Sequence, residues 1–213
     1  MKQCVVWSGG LDSTLILYDL IKRNVDVSVI TFESEVFGNS KNILEQSVRT
    51  RFLQKFSKNK IEEYTIKLDF PYTDIRNTGG LCQQPYMLSL VALYGKPDTT
   101  YHFGYHKGDD FFTWHHESMN ILQNINTIMN KNVQVNFPLR HMHKWQIIDR
   151  IQWNGLDDYV WFCEYPENSA NGKSSCGECV PCKTHEEHSQ LLKMNRQTNN
   201  FSFDLYYPEN SFV

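Results

Sequence analysis

The chain has 213 residues and a formal net charge of −3, from 21 basic and 24 acidic side chains; 40% of its residues are hydrophobic and 14% aromatic. That composition excludes a disordered chain and suffices to bury a substantial core. Proteins that grip nucleic acid through many phosphates carry a basic excess, so the acidic balance argues for a small-molecule substrate and against stable nucleic-acid binding. No stretch reaches the roughly 18 apolar residues of a membrane helix. The opening Met1-Lys2-Gln3-Cys4 runs into an apolar strand too short for a signal-peptide core, which predicts a cytoplasmic location, reduced cysteines and no membrane association.

In chain order, Cys4–Trp7 reads as a buried strand, Ser8–Thr14 as a turn with two glycines, and Leu15, Ile16, Leu17, Leu20 and Ile21 as an apolar helix. Val25–Phe32 alternates and is rich in β-branched residues, as a strand requires. Asn39 or Ser40 caps a helix whose apolar positions are Ile43, Leu44, Val48, Phe52, Leu53 and Phe56, with Glu45, Arg49, Arg51 and Lys55 among its polar positions. Glu62–Leu68 is a third strand. This alternation predicts an α/β fold, an open parallel sheet with helices on both faces. Beyond a loop holding Pro71, Gly79 and Gly80, the pattern predicts helices over Pro85–Tyr94, Trp114–Met129 and Lys144–Trp153, and strands over Thr99–Tyr105 and Val133–Phe137. From Cys163 the composition turns to cysteine, glycine, proline and small polar residues. The expected organisation is a nucleotide-binding α/β domain over 1–160, a four-cysteine segment with a helix over 161–194, and a tail of unassigned structure over 195–213.

The segment Ser8-Gly9-Gly10-Leu11-Asp12-Ser13-Thr14 joins the first strand to the first helix. In an open parallel sheet, ligands bind beyond the carboxyl ends of the strands, where this loop falls. Glycines let the backbone approach a phosphate, and a helix N-terminus offers it free N–H groups and partial positive charge. Ser8 and Ser13 add hydroxyl donors, and Asp12 is placed to hold a magnesium ion. Gly9-Gly10 alone would read as a plain turn with Asp12 or Ser13 as helix cap. The whole string after a leading strand points instead to phosphate binding. No Gly-Lys-Ser/Thr follows, so this is not a Walker A loop, and the three-glycine dinucleotide fingerprint is missing too.

Four of the six cysteines, Cys163, Cys176, Cys179 and Cys182, are spaced C-x12-C-x2-C-x2-C. Four thiolates suit tetrahedral zinc, and Gly177 permits the tight turn between ligands. An iron–sulfur cluster is the main rival; a redox Cys-x-x-Cys pair would leave two cysteines without a role. His185 and His188 read as helix-surface residues, and Cys4 and Cys82 as ordinary buried or loop cysteines.

The string SGGLDS resembles the pyrophosphate loop of the PP-loop ATPases, which cleave ATP between the α and β phosphates and adenylate a carboxylate, an amide or a tRNA base. With the cysteine quartet, the chain resembles the QueC family, 7-cyano-7-deazaguanine synthase, to about residue 194. Further matching pieces are Pro138-Leu139 with Lys144 five residues on from Leu139, Trp161-Phe162-Cys163 leading to CGECVPCK, and Thr31-Phe32 ending the second strand. The resemblance implies ATP, Mg2+ and a structural Zn2+ as cofactors. It implies conversion of a small-molecule carboxylate, 7-carboxy-7-deazaguanine, and ammonia into the nitrile by two successive adenylations. Ser8, Gly9, Gly10, Leu11, Asp12, Ser13, Thr14, Thr31 and Phe32 would then bind ATP, and Asp12, Ser13 and Lys144 would carry the catalysis. Cys163, Cys176, Cys179 and Cys182 would hold zinc. Such relatives often form homodimers.

The chain departs from the family at Glu33-Ser34-Glu35, where a tyrosine-glycine-glutamine run is usual. It departs again at Leu81-Cys82-Gln83-Gln84-Pro85-Tyr86, which lacks the usual arginine, and around Asp109–Trp114. Tyr86, Phe111, Phe112 and Trp114 are the expected aromatic wall for a purine-like substrate. Other readings stay open: a related ligase acting on a different carboxylate, including one on a protein; a tRNA-modifying enzyme, disfavoured by charge; and a non-catalytic nucleotide-binding subunit of a partner protein.

Overall fold

The computed structural model describes residues 1–34, 39–57, 61–68, 83–169 and 174–197. Five strands, β1 (Lys2–Val6), β2 (Val27–Ser34), β3 (Glu63–Leu68), β4 (Thr99–His102) and β5 (Val133–Asn136), form one sheet in the order β3-β2-β1-β4-β5. All pairings are parallel, with Val5 of β1 opposite Val29 of β2 and His102 of β4. The helices are α1 (Leu11–Lys22), α2 (Asn39–Phe56), α3 (Gln83–Tyr94), α4 (His115–Met129), α5 (Lys144–Trp153) and α6 (Val180–Gln197). From β1 the chain steps outward through β2 to β3, then returns to the far side of β1 as β4. That reversal opens a crevice beyond the carboxyl ends of β1 and β4, the usual ligand position in such a sheet. The expected α/β architecture, with helices on both faces, is what forms.

Alternation along the strands divides the core into two layers. Val5, Trp7, Val27 and Val29 face Leu15, Ile16, Phe52, Ile147, Ile148 and Leu192 of α1, α2, α5 and α6. Cys4, Ile30, Tyr101 and Phe103 face Leu88 and Val91 of α3 and Leu122 of α4. Burial pushes the Cys4 thiol up to about 11, which suits the inert core position read from the sequence. Cys82, Pro71, Gly79 and Gly80 lie outside the described residues. Among the described residues, no helix is long and apolar enough to cross a membrane.

Several element boundaries differ from the sequence pattern. The first helix begins at Leu11, within the expected turn, because Leu11 and Thr14 both find core positions. Thr14 enters the core without stranding its hydroxyl, which accepts the Trp7 indole N–H at 3.0 Å. The Trp114 helix is preceded by a 3-10 turn over Asp110–Trp114, where the Asp109 side chain accepts from the Phe111 N–H and caps the turn. α6 runs to Gln197, into the segment expected to be tail.

Two ion pairs tie α1, α5 and α6 together. Arg150 of α5 donates to both oxygens of Asp19 on α1 at 2.9 and 2.8 Å, and Arg196 of α6 donates to the buried Asp149 of α5. Burial pushes the Asp19 carboxyl up, against the pull of Arg150. Removing one partner of such a pair leaves a buried charge uncompensated, at a cost of about 3–5 kcal/mol. Arg150→Met should therefore lower the unfolding free energy by roughly 3 kcal/mol, read from a lowered urea midpoint, and adding Asp19→Asn should recover part of it. A midpoint unchanged in the single variant would show that Asp19 is solvated well enough without its partner.

Candidate functional site

The sheet ends on β1 with Trp7, whose N–H still donates to the Ile30 carbonyl at 2.8 Å. Ser8 and Gly9 then turn the chain, and Gly9 has a φ of +90°, a conformation that glycine adopts without strain. A Cβ there would lie 3.2 Å from both Arg49 Cγ and Val48 Cγ2, so the loop is seated directly on α2. Gly10, in extended conformation, stands at the N-cap of α1 and supplies no side-chain cap to the first turn. The Ser8 hydroxyl oxygen accepts from the Gly10 N–H at 3.1 Å and lies 3.3 Å from the Ser13 hydroxyl. On the opposite side, the Trp161 N–H donates to the Gly9 carbonyl at 2.8 Å. The segment leading into the cysteines thus braces the loop.

A cleft of about 450 Å³ opens here; its lining includes Ser8, Gly10, Asp12 and Ser13 from the loop, Phe32 from β2, and Phe103, Gly104 and Tyr105 beyond β4. Lys144, at the start of α5, donates to Asp12 Oδ2 at 2.5 Å across 132 residues of sequence. The other oxygen, Asp12 Oδ1, is buried with no hydrogen-bond partner among the described residues. A buried carboxylate oxygen left open in this way fits a magnesium ion. Asp109 also lines the cleft, accepting from the Phe111 N–H at 3.1 Å and from Gln84 Nε2 at 3.3 Å. Burial pushes its carboxyl up, and the neighbouring Asp12 charge adds to the effect.

The residues expected at the site divide into two groups. Ser8, Gly10, Asp12, Ser13 and Phe32 line the cleft, and Lys144 meets it through Asp12. Gly9 shapes the loop from behind. The side chains of Leu11 and Thr14 belong to the core, and the Thr31 hydroxyl donates to the Trp7 carbonyl at 2.9 Å beneath the loop. Tyr86, Phe111, Phe112 and Trp114 do not line the cleft; Phe32 and Tyr105 supply its accessible aromatic surface with the buried Phe103 behind them, and Tyr105 stacks on the buried Phe111 at 4.4 Å. Three contributors carried no motif signal. Gly104 lets β4 close on α1, since a Cβ there would fall 2.8 Å from Asp12 Cβ. Arg49 and Glu33 meet beneath the loop. A glycine just past a strand end at the sheet's reversal is the signal that would have found Gly104.

The second feature is the cysteine quartet. The sulfurs of Cys163, Cys176, Cys179 and Cys182 all lie within 4.8 Å of one another. The Cys176 N–H donates to Cys163 Sγ at 3.2 Å, and the Cys179 N–H to Cys176 Sγ at 3.4 Å. Backbone N–H groups of Glu178 and Cys179 pull the Cys176 thiol down to about 7, favouring the thiolate form that binds metal. Gly177 turns the chain with a φ of +76°, as its position between ligands suggested. His185 and His188 are half-buried rather than surface residues: His185 stacks on Phe162 with ring centres 4.1 Å apart, and both Nδ1 atoms are buried.

No protein-family model matches the sequence. A stretch of 33 residues is 54% identical to 7-cyano-7-deazaguanine synthase from Methanoregula boonei, and it spans 16% of this chain and 15% of that protein. Among solved structures, the U34-tRNA thiolase NcsA from Methanococcus maripaludis, with its 4Fe-4S cluster, aligns over 93% of this chain and 66% of its own, with TM-score 0.52 and 15% identity. NMN synthetase from Francisella tularensis aligns over 95% of this chain and 88% of its own, with TM-score 0.45 and 12% identity. The chain therefore has a PP-loop, adenine nucleotide α-hydrolase-like fold, with a four-cysteine cluster toward its C-terminal end.

Proposed function

We propose that the chain is an ATP-dependent ligase that adenylates the carboxylate of a 7-deazaguanine-type substrate and joins it to ammonia, releasing pyrophosphate and AMP. The observation that carries this reading is the loop itself. Glycines, two serine hydroxyls and an uncapped helix N-terminus lie at the sheet's reversal, with Asp12 and Lys144 paired across them. Such donors hold a departing pyrophosphate without reorganising, which is electrostatic catalysis. Asp12 would hold Mg2+, which when bound neutralises phosphate charge, and the Lys144 ammonium, paired with Asp12 at 2.5 Å, would add a positive charge at the same edge of the loop.

In the first step a substrate carboxylate oxygen attacks the α-phosphorus, and the bond to the bridging oxygen of the β-phosphate breaks. Pyrophosphate leaves toward Ser8, Gly9, Gly10 and Ser13. Ammonia then attacks the acyl carbon and AMP departs, giving the amide; a second activation of the amide oxygen would give the nitrile. Phe32 and Tyr105 offer a flat ring apolar contact, and Asp109 with Gln84 offers acceptor and donor groups to its polar edge. Incubation with 7-carboxy-7-deazaguanine, ammonium and Mg-ATP should yield equal AMP and pyrophosphate with amide or nitrile by mass spectrometry. Asp12→Asn should slow turnover by about 10²–10³-fold. Binding of ATP without any product would direct the search to another carboxylate, including one on a protein.

For the cysteine quartet, the proposed ion is zinc. Zn–S bonds of about 2.3 Å place tetrahedral thiolates about 3.8 Å apart, and the sulfurs of Cys163 and Cys179, and of Cys176 and Cys182, are each 4.0 Å apart. A cubane cluster attaches each thiolate to a different iron and needs a wider quartet. Elemental analysis of anaerobically purified protein should find one zinc per chain, and Cys179→Ser or chelation should lower the melting temperature. Stoichiometric iron with visible absorbance would assign a cluster instead.

A further inference from the structure

Arg49 lies on α2 among positions that read as solvent-facing, yet it is only 6% exposed. Its guanidinium points inward, under the phosphate loop. Nη1 donates to the Ser8 carbonyl at 3.2 Å, and Nη2 donates to Glu33 Oε1, at the end of β2, at 3.2 Å. Glu45, one turn earlier on α2, lies 4.0 Å from Nη1 and is itself 3.7 Å from Lys41. A planar guanidinium can serve a carbonyl and a carboxylate at once, which a lysine ammonium on a flexible stem does poorly.

The bond to Ser8 has a directional consequence. A trans peptide points its N–H opposite to its C=O. Holding the Ser8 carbonyl toward α2 turns the Gly9 N–H away from α2. Among the described residues, that N–H has no acceptor. The next carbonyl, of Gly9, is pinned by the Trp161 N–H at 2.8 Å. Two consecutive carbonyls are thus fixed from outside, and because the Gly10 N–H is already taken by the Ser8 hydroxyl at 3.1 Å, the Gly9 N–H is the one this arrangement presents to an anion. Arg49 also packs beside Gly9, its Cγ 3.2 Å from where a Cβ would stand.

We propose that Arg49 is a positioning residue of the phosphate loop, held by Glu33 and Glu45, which aims the Gly9 N–H at a bound pyrophosphate group. It does not touch the phosphate; its positive charge is spent on the two carboxylates and the Ser8 carbonyl. The inference rests on reading Ser8–Thr14 as a phosphate loop, and it adds Arg49 and Glu33 to the residues on which that loop depends.

The test uses the full chain, with calorimetric titration of Mg-pyrophosphate and Mg-ATP beside amide hydrogen exchange of the unliganded protein. Arg49→Lys keeps the charge and a long stem. It should bind both ligands at least about tenfold more weakly, with faster exchange confined to the loop and a melting temperature near wild type. Glu33→Ala should reproduce part of the loss, and Glu33→Gln, which still accepts from Arg49, should recover it. If Arg49→Lys is too unstable to measure, the Arg49→Met/Glu33→Gln pair, which leaves no unpaired charge at position 33, takes its place. Wild-type affinity and unchanged loop exchange in these variants would overturn the role of Arg49 while leaving the ATP reading intact. Failure of the wild-type chain to bind either ligand would overturn the ATP reading, and loop exchange alone would then decide whether Arg49 positions the loop.

Discussion

Gly9 is the point on which the site depends. Its backbone sits between α2 on one side and the Trp161 segment on the other, at a φ of +90° that strains any side chain and with Arg49 and Val48 3.2 Å from where a Cβ would stand. This one constraint brings together three parts of the chain that are remote in sequence: the end of β1, the middle of α2 and the approach to the cysteines. The loop is therefore not a free turn. Its shape is set by groups that donate to its carbonyls, Arg49 to Ser8 and Trp161 to Gly9.

The charges around the cleft follow the same logic. Asp12 and Lys144 neutralise one another across the reversal of the sheet, yet one Asp12 oxygen is left without a partner. Asp109, partly desolvated and bonded to Gln84, places a second carboxylate on the far wall. The charged side chains around this space of about 450 Å³ are Asp12, Glu45, Asp109 and Glu164 with Lys41, and Lys144 reaches it through Asp12. A lining richer in carboxylates than in bases does not suit a long polyanion, in line with the net charge of −3.

The cysteine segment is part of the same construction. Trp161 reaches the phosphate loop through its backbone N–H, while its indole donates to the Cys163 carbonyl at 2.8 Å. Glu164 and Pro181, flanking the cysteines, line the cleft. A metal that orders the quartet would therefore also steady one wall of the site, because the bond from Trp161 to Gly9 joins the two.

Local pattern determined much of this protein. The alternation of strands and helices gave the parallel sheet, the α5 boundaries at Lys144 and Trp153 followed from periodicity, and the close spacing of four cysteines anticipated their convergence. Each of these depends on residues near one another in the chain, where residue type and period carry the information. Tertiary structure alone decided the rest. Arg49 sits in a polar stretch of α2, and only the closeness of Glu33 and the Ser8 carbonyl makes its burial possible. The aromatic surface comes from Phe32 and Tyr105 rather than from the 3-10 turn, since Phe111 is taken into the core. Gly104 matters because β4 returns beside β1 and meets Asp12. Strand order and chain reversal set these neighbours, and both arise from packing between segments that no local period records.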